Sequence, residues 1–236
     1  MLLSMFLSGN IDLVSVIVYI LSTLLVVFFV LPFHEWAHGF VAYKLGDKTA
    51  KINGRLTLNP LAHIDPMGAM LLLLIGFGWA KPVPVDPRYF KNEKVGMALT
   101  ALAGPMANLI AALLSGFAMN GILAAVSAGH FVSVENFSSS NSFWIYVIRF
   151  FMYLMIINIG LAVFNFIPIP PLDGSKIMMA FLPDKAVNWL YQHEQIFSIA
   201  LFVLVMAGGL NGGIITKIQD ALFDGIYWLT ALPFNL

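Results

Sequence analysis

The 236-residue chain balances 12 Lys/Arg against 12 Asp/Glu, so its net charge is zero and speaks against a nucleic-acid partner. It is 60% hydrophobic and only 10% charged, where a soluble domain is about 25% charged, so water is excluded as the solvent for most of its surface. It has no cysteine, which excludes a disulfide framework and a thiolate metal site and leaves any metal to His, Asp or Glu.

In chain order, Leu13 to Phe33 is an uncharged run long enough for the roughly 20 apolar residues a membrane helix needs. No basic start or small-residue cleavage site accompanies it, so it reads as a retained helix and not a leader. It runs directly into His34-Glu35-Trp36-Ala37-His38. Next, Lys51 to Leu58 alternates around an Asn53-Gly54 hairpin signal, and Gly78 to Val85 reads as an extended, proline-marked edge. The two are expected to form a small β-hairpin or sheet element that holds an unwound peptide by strand addition.

Between them, Met67 to Trp79 is apolar but short, a tilted or re-entrant helix. Val95 to Gly129 is uncharged and broken by Gly104-Pro105, which predicts one long helix with an irregular first part. Ser142 to Ile169 carries only Arg149 and ends among Pro168, Pro170 and Pro171. Ile196 to Ala207 is a further helix closed by Gly208-Gly209, and the apolar tail from Ile226 to Leu236 is expected to lie along the interface. The fold class is therefore an all-α polytopic membrane bundle of five to six helices plus the small β element, in one domain spanning residues 1–236. A metal-binding core covers about residues 13–182, and residues 183–236 are accessory helices.

Eight of the twelve Lys/Arg lie between Lys44 and Lys94, while Asn120 to Asn141 has none. The positive-inside rule places the 44–94 segment in the cytoplasm, the 120–141 stretch outside, and the His-Glu motif toward the cytoplasmic end of the first helix.

Residues four apart on a helix share a face, so His34 and His38 can present two imidazoles to one ion. Glu35 stands beside them, placed to take a proton from a water that zinc acidifies toward about pKa 7. Set among so few charges, two His and a Glu require partners. A catalytic zinc needs a third protein ligand, and Gly39 to Lys44 offers none. Asp173, in Pro170-Pro171-Leu172-Asp173-Gly174, is one candidate, with a helix N-cap as its ordinary alternative. His63, in a turn-rich stretch from Asn59 to Pro66, is the rival ligand. His130 and His193 lie in polar connections and read as solvated.

Four separated elements resemble the site-2 protease family of intramembrane zinc metalloproteases, in the compact branch without an added soluble domain. They are His34 to Gly39, Asn59-Pro60 through Gly68, Gly104-Pro105-Met106-Ala107-Asn108, and Asn165 through Gly174. The resemblance implies one Zn2+ per chain held by His34, His38 and Asp173, with Glu35 as general base. It matches Asn108 and Asn165 to positions associated with substrate or oxyanion contacts. Their alternative reading is interhelical polar contact. It also implies a multi-pass plasma-membrane protein that cuts single-span membrane proteins or peptides within the lipid bilayer. Two other classes remain open: a membrane metal transporter, and an inactive relative that binds membrane segments without cutting them.

Overall fold

The computed structural model describes residues 13–75, 78–128, 143–208 and 213–235. The first apolar run gives a continuous rod of 32 residues. It consists of α1 (Leu13–Leu25), a π-helical stretch (Val26–Val30) and α2 (Leu31–Lys44). Pro32 has no amide to donate to the preceding turn, and just before it the Leu31 amide reaches back five residues to the Val26 carbonyl. Such a π-bulge absorbs an extra residue in the turn and re-aims the side chains beyond it. It sits immediately before the His-Glu motif.

α3 (Thr49–Ile52) is a single helical turn, and α4 (Pro66–Ile75) follows. α4 starts on the Asp-Pro pair: Asp65 Oδ1 accepts from the Gly68 amide at 2.9 Å, and Pro66 occupies a position where no donor is needed. α5 (Glu93–Ser127) has 35 residues, opened by Asn92, whose side chain accepts from the Val95 amide. At 1.5 Å per residue it is about 52 Å long. α6 (Phe143–Asn165), α7 (Asp173–Met179), α8 (Asp184–Gln192), α9 (Glu194–Met206) and α10 (Ile214–Ala231) complete the order.

α5 is the central helix, packed against α6, α2, α7 and α10. Its buried positions are mostly small, including Gly96, Ala101, Gly104, Ala107, Ala112 and Gly116, which is how helices approach closely in an apolar solvent. One apolar core joins Val26, Val27, Val30 and Leu31 to Leu72 and Leu154. A second joins Ala112 and Met119 to Met155, Ile159 and Val163. The outward faces are apolar too: Leu13, Ile17, Leu21, Leu24 and Phe28 on the first rod, and Leu99, Met106, Ile110 and Leu114 on α5, are exposed. Hydrophobic stripes both inside and out belong to helices solvated by lipid.

Three described helices are long and apolar enough to cross a membrane: Leu13–Lys44, Glu93–Ser127 and Phe143–Asn165. The remaining apolar runs give the shorter Pro66–Ile75 and Glu194–Val205. The Ile226 to Leu236 tail is helical through Ala231, as the end of an 18-residue helix.

Two expectations need correction. The β element is absent among the described residues, where no strand is found. Asp47 Oδ1 accepts from the Thr49 amide at 2.8 Å and starts a helical turn where alternation suggested a strand. Asn53-Gly54 does turn the chain, with Gly54 at φ +65°, but it closes that helical turn and not a hairpin. The expected irregularity at Gly104-Pro105 is also missing, because α5 runs unbroken through Pro105. Residues 120–127 continue α5, as the uncharged run from Val95 to Gly129 led one to expect, and residues 129–142, His130 among them, lie outside the described residues.

Candidate metal centre

His34 and His38 lie one turn apart on α2, 5% and 8% exposed, and the first carboxylate of α7, Asp173, is 7% exposed. Their imidazole Nε2 atoms are 3.0 Å apart. Asp173 Oδ2 stands 3.4 Å from His34 Nε2 and 3.2 Å from His38 Nε2. Among the described residues these three form the one group of His, Asp or Glu able to share an ion.

The hydrogen bonds behind the ring decide what the triangle is. His38 Nδ1 lies 2.7 Å from the Thr100 carbonyl, which can only accept, so Nδ1 carries a proton and the neutral ring presents Nε2 as a bare lone pair. The same follows for His34 by a chain of amides. The Leu154 carbonyl accepts from Asn158 Nδ2 at 2.8 Å, so Asn158 turns its Oδ1 to Asn108 Nδ2, 3.2 Å away. Asn108 Oδ1 is then left to accept from His34 Nδ1. With both rings neutral, as metal binding requires, three acceptors face one another. Ligands about 2.0–2.1 Å from a tetrahedral zinc stand about 3.3 Å apart, and the observed edges of 3.0, 3.2 and 3.4 Å match that spacing.

Gly104 explains why α5 passes so close. A Cβ built there would collide with Nε2 of both histidines, so only glycine leaves the space at the triangle open. Asp173 is not an N-cap: Leu172 holds that position without a side-chain bond, and the Asp173 carboxylate turns to the histidines. Its other oxygen, Oδ1, is 3.8 Å from Lys176 Nζ.

Glu35, 9% exposed, accepts through Oε2 from the Val83 amide at 2.8 Å. Val83 belongs to an extended strap, residues 78–86, that crosses beside α2. Lys81 binds this strap to the His63 carbonyl and to Arg55 Nη2 at 2.7 Å. At the far end, buried Asp47 accepts from the Asp86 amide at 2.8 Å. The exposed Arg88 guanidinium bonds Asp86 and holds its carboxyl below the usual carboxylate range.

The other sequence candidates fall outside the triangle. His63 is fully buried, yet its Nε2 donates to the Thr57 carbonyl at 2.8 Å and it is not part of the cluster. Asn165 turns its amide back to the Leu161 carbonyl of its own helix at 2.9 Å. Asn108 is fully buried between His34 and Asn158. Sequence reading missed Thr100, Gly104 as a contact, Asn158 and Val83. Only Asn158 carried a usable signal, an amide inside an apolar membrane run.

A buried two-histidine, one-carboxylate cluster inside a bundle of lipid-solvated helices defines a membrane metalloprotein. The chain belongs to Peptidase family M50, which matches residues 22–208. YwhC of Bacillus subtilis (strain 168), named as a zinc metalloprotease, is 36% identical over 94% of this chain and 94% of its own length. Rip2 of Mycobacterium tuberculosis (strain H37Rv), also named as a zinc metalloprotease, is 27% identical over 83% of this chain and 68% of its own length. No solved structure matches the chain. The family match continues beyond residue 182, into α9.

Proposed function

We propose that this chain is an intramembrane zinc protease that hydrolyses peptide bonds of membrane-spanning substrates. The observation that carries the reading is the donor triangle of His34, His38 and Asp173 with a carboxylate, Glu35, on the next position of the same helix. Zinc held there would act as a Lewis acid and lower the pKa of a water to about 7.

The protein's own groups divide the remaining work. Asn108 and the Thr100 carbonyl fix the tautomer and tilt of the two imidazoles, as outer partners of metal ligands commonly do. Glu35 accepts the proton of the attacking water and returns it to the nitrogen of the departing peptide, so no net proton is consumed. Asn165, at the end of α6, is close in sequence to Asp173 and is proposed to meet the unwound substrate backbone. The bilayer keeps competing water low around the site and supplies single-span segments as substrates.

The basic 44–94 segment supports a cytoplasmic position for the site in a multi-pass plasma-membrane protein. Residues 13–182 would form the working core, with α8 to α10 as accessory helices. A transporter would need successive sites along a path, and the described residues offer a single ligand cluster.

The test uses purified wild type and Glu35→Gln in detergent, with bound zinc and cleavage of single-span peptides measured on the same samples. Both proteins should hold zinc and only wild type should cut. Equal cleavage by Glu35→Gln sinks the general-base role.

A further inference from the structure

The sequence of the strap is Lys81-Pro82-Val83-Pro84-Val85. Proline has no amide hydrogen, so between Lys81 and Val85 the backbone offers one donor, Val83 N–H. That donor goes to Glu35 Oε2 at 2.8 Å, and both residues are buried, Val83 at 8% and Glu35 at 9% exposure.

The fit is built from both sides. Pro82 fixes its own φ, and Pro84 restricts Val83 to extended conformations, so the amide is aimed by a stiff backbone. On α2, Gly39 lies four residues after Glu35, on the same face. A Cβ at Gly39 would sit 3.2 Å from Val83 Cγ1, so the strap packs tightly against the helix at this level. The Lys81 amide and carbonyl and the Asp86 amide are anchored elsewhere, to His63, Arg55 and Asp47. The amide at Glu35 is therefore held from outside the site.

We propose that the main-chain amide of Val83 is a positioning group for the catalytic base. It holds Oε2 and leaves Oε1 as the oxygen that exchanges the proton. This rests on the general-base reading of Glu35 and adds to it a backbone group that no motif encodes. A carboxylate on an unconstrained side chain samples several rotamers; one held by a charge-assisted bond presents one oxygen in one direction.

The experiment compares wild type, Val83→Ala, which keeps the amide, and Val83→Pro, which deletes it. Zinc content, kcat and KM for a single-span peptide are measured for each. Val83→Pro should keep one zinc and lose about 10–100-fold in kcat, the range typical of groups behind a metal site, with KM within about twofold. Val83→Ala, which keeps the amide but trims a buried side chain, should lose clearly less kcat than Val83→Pro. A spectroscopic arm is independent of turnover. The carboxylate stretch of Glu35, isolated by subtracting the Glu35→Gln infrared spectrum, should shift in Val83→Pro and not in Val83→Ala.

Wild-type kcat and an unshifted band in Val83→Pro would overturn the proposal. So would a rise in kcat, which would make the contact a blocker of the base. Should Val83→Pro lose its zinc, the α-hydroxy analogue of valine at position 83, which removes only the N–H, decides between the same outcomes. If wild type itself does not cut, the protease reading fails, while the infrared shift still reports on the Val83–Glu35 bond.

Discussion

The metal triangle and the connection from Leu45 to Asn92 lie side by side and are held together by opposite means. Around the triangle the backbone is regular helix, so its own amides are satisfied and side chains are free to bond one another: His34 to Asn108, Asn108 to Asn158. The connection has only short helical turns and α4, and between and at the starts of these acidic and amide side chains take backbone amides that no ladder satisfies. Asp47 takes the Thr49 and Asp86 amides, Asn59 takes Leu61, Asp65 takes Gly68, and Glu35 takes Val83. Buried amides demand partners wherever they fall. The difference teaches that Glu35 belongs to both regions. It sits on the metal helix and is bonded by the connection's backbone.

Gly104→Ala should break the first region most severely. Its methyl group would occupy the space that both Nε2 atoms face. Zinc content measured after dialysis should fall, with cleavage, by more than the roughly 10–100-fold that outer partners of a metal site usually command. Retained zinc would mean that α5 can back away from α2. Asp47→Ala should damage only the second region. It leaves two amides without their acceptor, at about 1–3 kcal/mol for each that stays buried, so thermal unfolding in detergent should come at lower temperature. Zinc content should hold within about twofold, because no atom of the triangle touches Asp47. A parallel loss of zinc would show the two regions to be one cooperative unit.

The same contrast explains what was legible in the sequence. His34, Glu35 and His38 could be named because ligand chemistry restricts residue type and the helical period restricts spacing, whereas Asp173 stood beside His63 as a candidate and was singled out only by the resemblance. The long apolar runs were legible because lipid demands them. Thr100 and Val83 act through backbone atoms, which any residue carries, so no reading of side chains could find them. Asn108 was visible, but its partner Asn158 sits on a helix 50 positions away. The alternation at Lys51 to Leu58 misled because one buried side chain, Asp47, bonded the Thr49 amide and favoured a helical turn. The unbroken passage of α5 through Pro105 was hidden for a related reason: packing on α2, α6 and α7 outweighs the local loss of one hydrogen bond.

The central claim is that Asp173, and not His63, completes the site. Zinc bound per chain, measured on purified wild type, Asp173→Ala and His63→Ala after dialysis against a weak chelator, tests it most directly. One zinc in wild type and in His63→Ala, with the ion lost from Asp173→Ala, is the predicted result. Zinc retained by Asp173→Ala and lost from His63→Ala would contradict the account.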